Sequence, residues 1–199
     1  MNIYGASGHG KVIIDIAESI NISIDQIFDD NKNIDSLNDR AVTHVLNKSL
    51  LDSDTIIAIG NNKIRKKVVD SFNGKISDAI IHNSAIISPN AIVEKGTVIM
   101  SNACVNSSTE IGKHCIINTA STIDHDCVLG NYVHISPNAA IAGNVIINEG
   151  TQVGIGAVVI PGIKIGKWVT IGAGAVIIKD IPDHAVVVGN PGKIIKYLN

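Results

Sequence analysis

Aromatic residues are scarce in this sequence: Phe, Trp and Tyr make up 3% of 199 positions, although apolar residues reach 45%. The apolar mass is therefore aliphatic, chiefly Ile and Val. Such a set favours regular stacking of similar side chains over the irregular interlocking of a mixed core. Charge is sparse too, at 17% of residues, against about a quarter in ordinary domains. Much of the surface must then be neutral and polar, or covered in an oligomer. A net charge of −2 supplies no positive field for nucleic acid or for an anionic membrane. The one basic run, Arg65-Lys66-Lys67, reads as decoration of a solvated helix face. Cysteine is limited to Cys104, Cys115 and Cys127, with no C-x-x-C knuckle and no disulfide framework. Reduced thiols are expected, and with them a cytoplasmic location. No apolar run approaches transmembrane length. The opening MNIYGASGHG meets glycine before a signal-peptide core could form, so no membrane insertion is expected.

What the chain does contain is a period of six. Every sixth residue from Ile81 to Ile177 is aliphatic, seventeen in a row without a miss. Two residues before each sits Ala, Thr, Ser, Cys or Val, from Ala79 and Ala85 to Ala157 and Ala175, with Ile163 the exception. Three residues after the aliphatic position, Asn and Gly recur, as at Asn90, Gly96, Asn138, Asn144 and Gly162. Those types accept the positive φ of tight corners. A strict period of six cannot be one face of an α-helix. Each hexapeptide reads as a short strand plus a turn, and stacked coils line up like residues in columns. The pattern resembles the hexapeptide-repeat, left-handed parallel β-helix family. That resemblance implies the left hand and three hexapeptides per triangular coil, hence five to six coils. A purely passive scaffold, such as an ice-binding β-helix, would carry flat arrays of Thr; here the outward positions are mixed.

Residues 1–80 follow other rules. A short strand, Asn2–Tyr4, leads into Gly5-Ala6-Ser7-Gly8-His9-Gly10, and residues 11–20 then show helical spacing of apolar residues. Further strands are expected near Ile27-Phe28 and over 55–59, a helix over 63–72, and a loop with a short strand within 32–54. This alternation implies a small parallel sheet. Backbone N–H groups of a glycine loop between strand and helix can hold phosphate, which makes Ser7, Gly8 and His9 candidates. The spacing G-x-x-G-x-G departs from the dinucleotide fingerprint. Asp29 and Asp30 lie about twenty residues on, where a ribose or base contact is often made; capping of a turn is the alternative.

Several stretches taken together are more specific: YGASGHG at 4–10, FDD at 28–30, AIGNNKIRKK at 58–67, INTASTIDHDCVLG at 117–130 and AGNV at 142–145. On these the whole chain resembles the bacterial nucleotide-sugar acetyltransferases that modify 4-amino-4,6-dideoxy sugars, and the related sialic-acid O-acetyltransferases. The resemblance implies that Gly8, Asp29, Asp30, Gly60 and Asn61 line a nucleotide site.

Acetyl transfer needs a base for the attacking amine or hydroxyl and donors for the oxyanion on the thioester carbonyl. Histidine suits the base near neutral pH, and the stem holds His82, His114, His125 and His134. His125 is at an outward turn position between Asp124 and Asp126, either of which could orient it. The family's acidic–His–acidic triplet falls here, which implies His125 as general base and Asp126 as its partner. His134 precedes the inward Ile135 and so faces out, half a coil from His125. The two can share a pocket only if neighbouring subunits contribute one each, as in the homotrimer that the resemblance implies. His134 is then expected at the acetyl carbonyl or substrate amine, Asn118, one coil-corner away, as a polar contact, and Gly143 as an N–H donor to the thioester oxygen. The resemblance further implies a pantetheine arm along Gly154, Ile155 and Ala173, and CoA adenine and phosphates near Pro191 and Lys193. A turn that caps the stem is the other reading of 188–193.

The expectation is thus a small Rossmann-like α/β domain at 1–80 and a left-handed parallel β-helix at 81–199, a homotrimer using acetyl-CoA without a metal. The acceptor implied by the resemblance is the 4-amino group of a nucleotide-linked sugar, with UDP favoured. A GDP-linked sugar and O-acetylation of sialic acid or another glycan precursor stay open. A zinc enzyme on the same fold would need three converging histidines, and His125 and His134 have no evident third. A non-catalytic nucleotide-sugar binder would not require the intact triplet.

Overall fold

The structure, a computed structural model, describes residues 1–198. β1 (Asn2–Tyr4) lies between two parallel partners, β2 (Ile27–Phe28) and β5 (Thr55–Ile57). All three strands are buried, as expected for parallel strands covered on both faces. Beyond β2, the hairpin of β3 (Ser36–Leu37) and β4 (Arg40–Thr43) adds two more strands. The segment 32–54 is therefore more ordered than a loop and one strand, because it also carries α2 (Lys48–Asp52). The cause is a two-residue turn: Asn38 and Asp39 both take positive φ, 47° and 59°, the conformation that closes a tight hairpin. α1 (Gly8–Ser19) begins earlier than its apolar spacing indicates, so the glycine loop supplies the first helical turn, with Ser7 at the N-cap. α3 (Asn62–Ser71) is capped by Asn61, whose side chain accepts from Ile64 N at 3.0 Å.

Seventeen two-residue strands follow, from β6 (Ile80–Ile81) to β22 (Val176–Ile177), one per hexapeptide. All but the last three pair in parallel with the strand eighteen residues on, as Ile117 does with Ile135 and Ile123 with Ile141. Three sheets result, one per side of a prism. The inward column is almost fully buried from Ile99 to Ile177. The smaller inward residues do more than save space. Thr97, Thr109 and Thr151 each donate to a carbonyl in the next coil, at 2.7–2.8 Å, and each accepts a backbone N–H there. Those bonds satisfy corner groups that would otherwise be buried without partners.

The tail departs from a simple capping turn. β23 (Ala185–Val188) continues one sheet of the prism, and β24 (Lys193–Tyr197) folds back antiparallel upon it.

The α/β unit seats on the side of the prism that contains β6, β12 (Ile116–Ile117) and β15 (His134–Ile135). Low on that side the outward residues are Ile80, Val98 and Ile116, buried in one cluster with Ile3, Ala6, Ile13 and Ile16. Each such side chain stabilises the seat by roughly 1.5–3 kcal/mol. Higher on the same side the outward residues become His134, Gln152 and Thr170. The change from apolar to polar marks where the seat ends and a cleft begins.

Candidate active site

Two groups of candidate residues emerge, on different parts of the prism. The first is the corner between β13 (Thr122–Ile123) and β14 (Val128–Leu129). Asp126 takes the left-handed conformation there, φ 57°, and its carboxylate meets His125 Nδ1 at 2.7 Å. Asp124 lies farther off, 3.9 Å from Nε2, and is held by Asn106 Nδ2 and His125 N at 2.8 and 2.9 Å. The hydrogen bond that His125 donates to Asp126, then the charge of Asp124, raise the His125 pKa above its ordinary value. Asp126 is thus in bonding reach of the imidazole, leaving Nε2 directed to solvent. One coil above lies Gly143. A methyl group added there would be 2.7 Å from His125 Cε1 and 2.8 Å from Nε2. The ring therefore rests over glycine backbone. Among the described residues, Gly143 N–H donates to no protein oxygen.

The second group faces the cleft. Asn118 is on the same side of the prism as His134, one coil below it, rather than around a corner: strands 18 residues apart stack directly. Asn118 Nδ2 lies 3.1 Å from His134 Nε2. The amide is oriented by Thr119 N, which donates to Asn118 Oδ1 at 2.8 Å. The NH2 therefore faces the ring, Nε2 accepts, and the neutral ring carries its proton on Nδ1. That Nδ1 is buried without a partner. Burial, then the charge of Arg65 and of His9, push the His134 pKa down to about 3. His9, on the first turn of α1, is pushed to about 4 by burial and Arg65, and its Nε2 is also buried and unpartnered. His134 is therefore held neutral at physiological pH, with Nε2 occupied by the Asn118 amide.

Around this pair the glycines are open. A Cβ at Gly8 or at Gly60 would meet nothing within 4 Å, so both leave bare backbone beside open space. Ser7 and Gly8 are exposed. Asp29 and Asp30 have bonds within the chain. Asp29 accepts from Ala6 N at 2.6 Å and Asn31 N at 2.8 Å, bracing the glycine loop and capping its own turn. Asp30 accepts from Tyr4 Oη at 2.8 Å. Asn61 spends its side-chain oxygen on the helix cap.

Ile155 and Ala173 stack on the corner that follows the cleft side, and both are exposed. Gly154 beside them is a packing requirement, since a Cβ there would lie 2.7 Å from Ala173 N. Pro191 and Lys193 are exposed at the fold-back of the tail. Within one chain the His125 corner and this set are separated by a full side of the prism.

Sequence reading missed Asn62 and Arg65, both buried. The Arg65 guanidinium joins the α/β unit to the stem, donating to His114 O at 2.9 Å and Tyr132 O at 3.0 Å. Asn62 Nδ2 reaches Gly150 O at 3.0 Å. The charge of the Arg65-Lys66-Lys67 run hid this role. Helical spacing could have found it: Asn62, Arg65, Val69 and Phe72 share one face of α3 and its end.

A prism of stacked hexapeptides with an exposed acid–His–acid corner, fronted by an α/β unit with an open glycine loop, is the layout of a hexapeptide acyltransferase. Residues 1–72 match the PglD N-terminal domain, and residues 144–179 match the bacterial transferase hexapeptide, six repeats. The chain belongs to the PglD-like family of hexapeptide-repeat acetyltransferases, left-handed β-helices with a small α/β domain in front. The acetyltransferase domain of PglB from Neisseria gonorrhoeae is 37% identical over 98% of both chains, with a TM-score of 0.90; it has also been solved with acetyl coenzyme A. PerB from Caulobacter crescentus, in complex with CoA and GDP-perosamine, is 33% identical over 98% of this chain and 96% of its own, TM-score 0.90. WeeI from Acinetobacter baumannii is 29% identical over 98% of both, TM-score 0.87. A putative acetyltransferase of Staphylococcus aureus is 38% identical over 69 residues, 35% of each chain. The matched part of the chain spans about a third of the length of the curated relatives it matches.

Proposed function

We propose that this chain transfers acetyl from acetyl-CoA to the 4-amino group of a nucleotide-linked 4-amino-4,6-dideoxy sugar. The observation that carries the reading is the His125–Asp126 pair at 2.7 Å, lying over Gly143. In the proposed reaction the neutral amine attacks the thioester carbon. His125 Nε2 takes the proton, and Asp126 steadies the imidazolium through Nδ1–H. Gly143 N–H faces the oxyanion as it forms. The C–S bond then breaks, and the imidazolium returns its proton to the departing thiolate, so no covalent enzyme intermediate arises.

The nucleotide lies against Ser7, Gly8, His9, Gly60 and Asn61, with Asp29 and Asp30 bracing the loop. Asn118 and His134 meet the sugar or the acetyl carbonyl, with the ring held neutral. The CoA arm follows Gly154, Ile155 and Ala173 toward Pro191 and Lys193. Since His125 and His134 sit on different parts of one prism, each site joins two subunits of a homotrimer. The three free thiols fit a cytoplasmic setting. UDP is the proposed nucleotide, by family resemblance. A GDP-linked sugar is the second reading, favoured by the GDP-perosamine bound to PerB.

The test is thiol release from acetyl-CoA with UDP- and GDP-linked 4-amino sugars, and with sialic acid alongside. His125→Ala is expected to lower turnover about 10²–10⁴-fold while CoA binding persists. Undiminished activity in that variant removes the mechanism, and release with sialic acid alone removes N-acetylation. A monomer in sedimentation removes the shared site.

A further inference from the structure

We propose that Arg65 is a positioning residue for acetyl transfer, fixing the Gly60–Asn61 turn over His134 so that substrate meets both at one spacing. The inference rests on the nucleotide-sugar reading above. Arg65 is buried, and all five of its N–H groups are used. Nε donates to His114 O at 2.9 Å, Nη1 to Ile59 O and Gly60 O at 2.8 and 3.1 Å, and Nη2 to Asn62 Oδ1 and Tyr132 O at 2.8 and 3.0 Å. Three of these oxygens belong to the turn and α3; the other two belong to the prism, on backbone leading into the strands of Ile116 and His134. One planar fork therefore ties the turn that opens on the cleft to the coil that carries its histidine. Lysine cannot reproduce that set, having three donors and no plane.

Among the described residues, no carboxylate bonds to Arg65. Every partner is a neutral oxygen, an arrangement that a purely structural clamp does not require and that is costly without a complete set of hydrogen bonds. Its charge is therefore uncompensated at the junction. The groups facing His134 are His9 from α1, Gly60 and Arg65 from the turn and α3, and Asn118 from the coil below. Of these Arg65 is the permanent cation, and its field opposes protonation of His134, His9 and His114 alike. Burial comes first in keeping these rings neutral and the Arg65 charge second, so the same side chain fixes the place of His134 and adds to its neutrality.

The two effects separate in two variants. Arg65→Lys keeps the charge and loses the fork. It is expected to raise KM for the nucleotide sugar at least tenfold, with KM for acetyl-CoA and the titration of His134 little changed. Arg65→Gln loses the charge as well, and is expected to move the His134 titration upward, read by NMR of histidine-labelled protein. A folded Arg65→Lys with wild-type KM overturns the positioning role, and an unmoved His134 in folded Arg65→Gln overturns the electrostatic one. Should both variants melt below assay temperature, the wild-type chain carries the test. His134 is expected to stay neutral down to pH 5, with its proton on Nδ1, and a ring that titrates near 6.5 overturns the proposal. Wild-type turnover separates the two readings: a chain that acetylates no nucleotide-linked amino sugar sinks the function, whereas the shift of the His134 titration between wild type and Arg65→Gln needs no turnover and reads the Arg65 charge.

Discussion

At the corner that holds His125, backbone and chemistry make compatible demands on Asp126. Its φ of 57° is a conformation that Asp and Asn tolerate better than most residues, and its carboxylate reaches Nδ1 at 2.7 Å. Asp126→Asn therefore keeps the turn and removes the charge. The carboxylate raises the His125 pKa by stabilising the imidazolium, and a general base works only when neutral. Wild-type activity should then rise with pH through a value above that of ordinary histidine. In Asp126→Asn this acid limb should shift to lower pH, with kcat reduced about tenfold or more; a limb that stays in place counts against Asp126 as the orienting partner. Gly143→Ala tests the surface under the ring. The added methyl would meet His125 Cε1 at 2.7 Å, and since that ring is exposed, it can swing away. We expect turnover to fall about a hundredfold while the melting temperature moves by no more than about 2 °C, a small change on the scale of point mutants. Wild-type activity in this variant would show that the ring needs no bare backbone beneath it.

Among the elements, the coils were the most legible in sequence, because each residue of a hexapeptide has one environment repeated many times. Ile135 illustrates it: fully buried, paired with Ile117 below and Val153 above. Ile135→Ala should cost about 2–5 kcal/mol. Ile86→Ala, at an outward position that is 70% exposed, should change stability by no more than about 0.5 kcal/mol. Denaturant melts compare them, and equal losses would contradict the inward column. The α/β unit was less legible since its elements are decided by contacts between distant segments. α1 starts at Gly8 within a glycine-rich run that has no apolar spacing, and Ser7 at its N-cap makes no side-chain cap bond. The hairpin after β2 hinged on Asn38-Asp39, a turn pair overlooked for want of long flanking strands. Of the candidate site, the triplet at 124–126 was readable from its carboxylates. The His9, Arg65 and His134 cluster was not, because burial of a charged side chain depends on which oxygens surround it in three dimensions.

For the molecule as a whole, that cluster predicts acid sensitivity at the junction of its two parts. His9, His114 and His134 have folded pKa values near 4, 4 and 3, all lowered first by burial and next by Arg65, whereas in the unfolded chain each titrates near 6.5. Between those limits the unfolded state binds more protons, so the stability present above pH 6.5 is lost as pH falls toward 4. A gap of 2.5 pH units corresponds to roughly 3 kcal/mol for His9 and for His114, and the wider gap of His134 to more, a large share of the 5–15 kcal/mol typical of a domain. His125 works in the opposite sense, because its raised pKa favours the folded state at low pH, but it is exposed and screened. The net expectation is a steep loss between pH 6.5 and 4, above the range where ordinary carboxylates protonate. Denaturant melts at pH 7, 5.5 and 4.5 would measure it, with the single tryptophan, Trp168, as a fluorescent reporter in the cleft shared by α3 and the upper coils. His114→Gln should flatten the profile by its own share, since the His114 ring stacks on Tyr132 at 5.4 Å with Nδ1 buried and unpartnered. Stability that stays level from pH 7 to 4.5 would mean that the junction opens to water, and that the rings beside Arg65 are not held neutral by the fold.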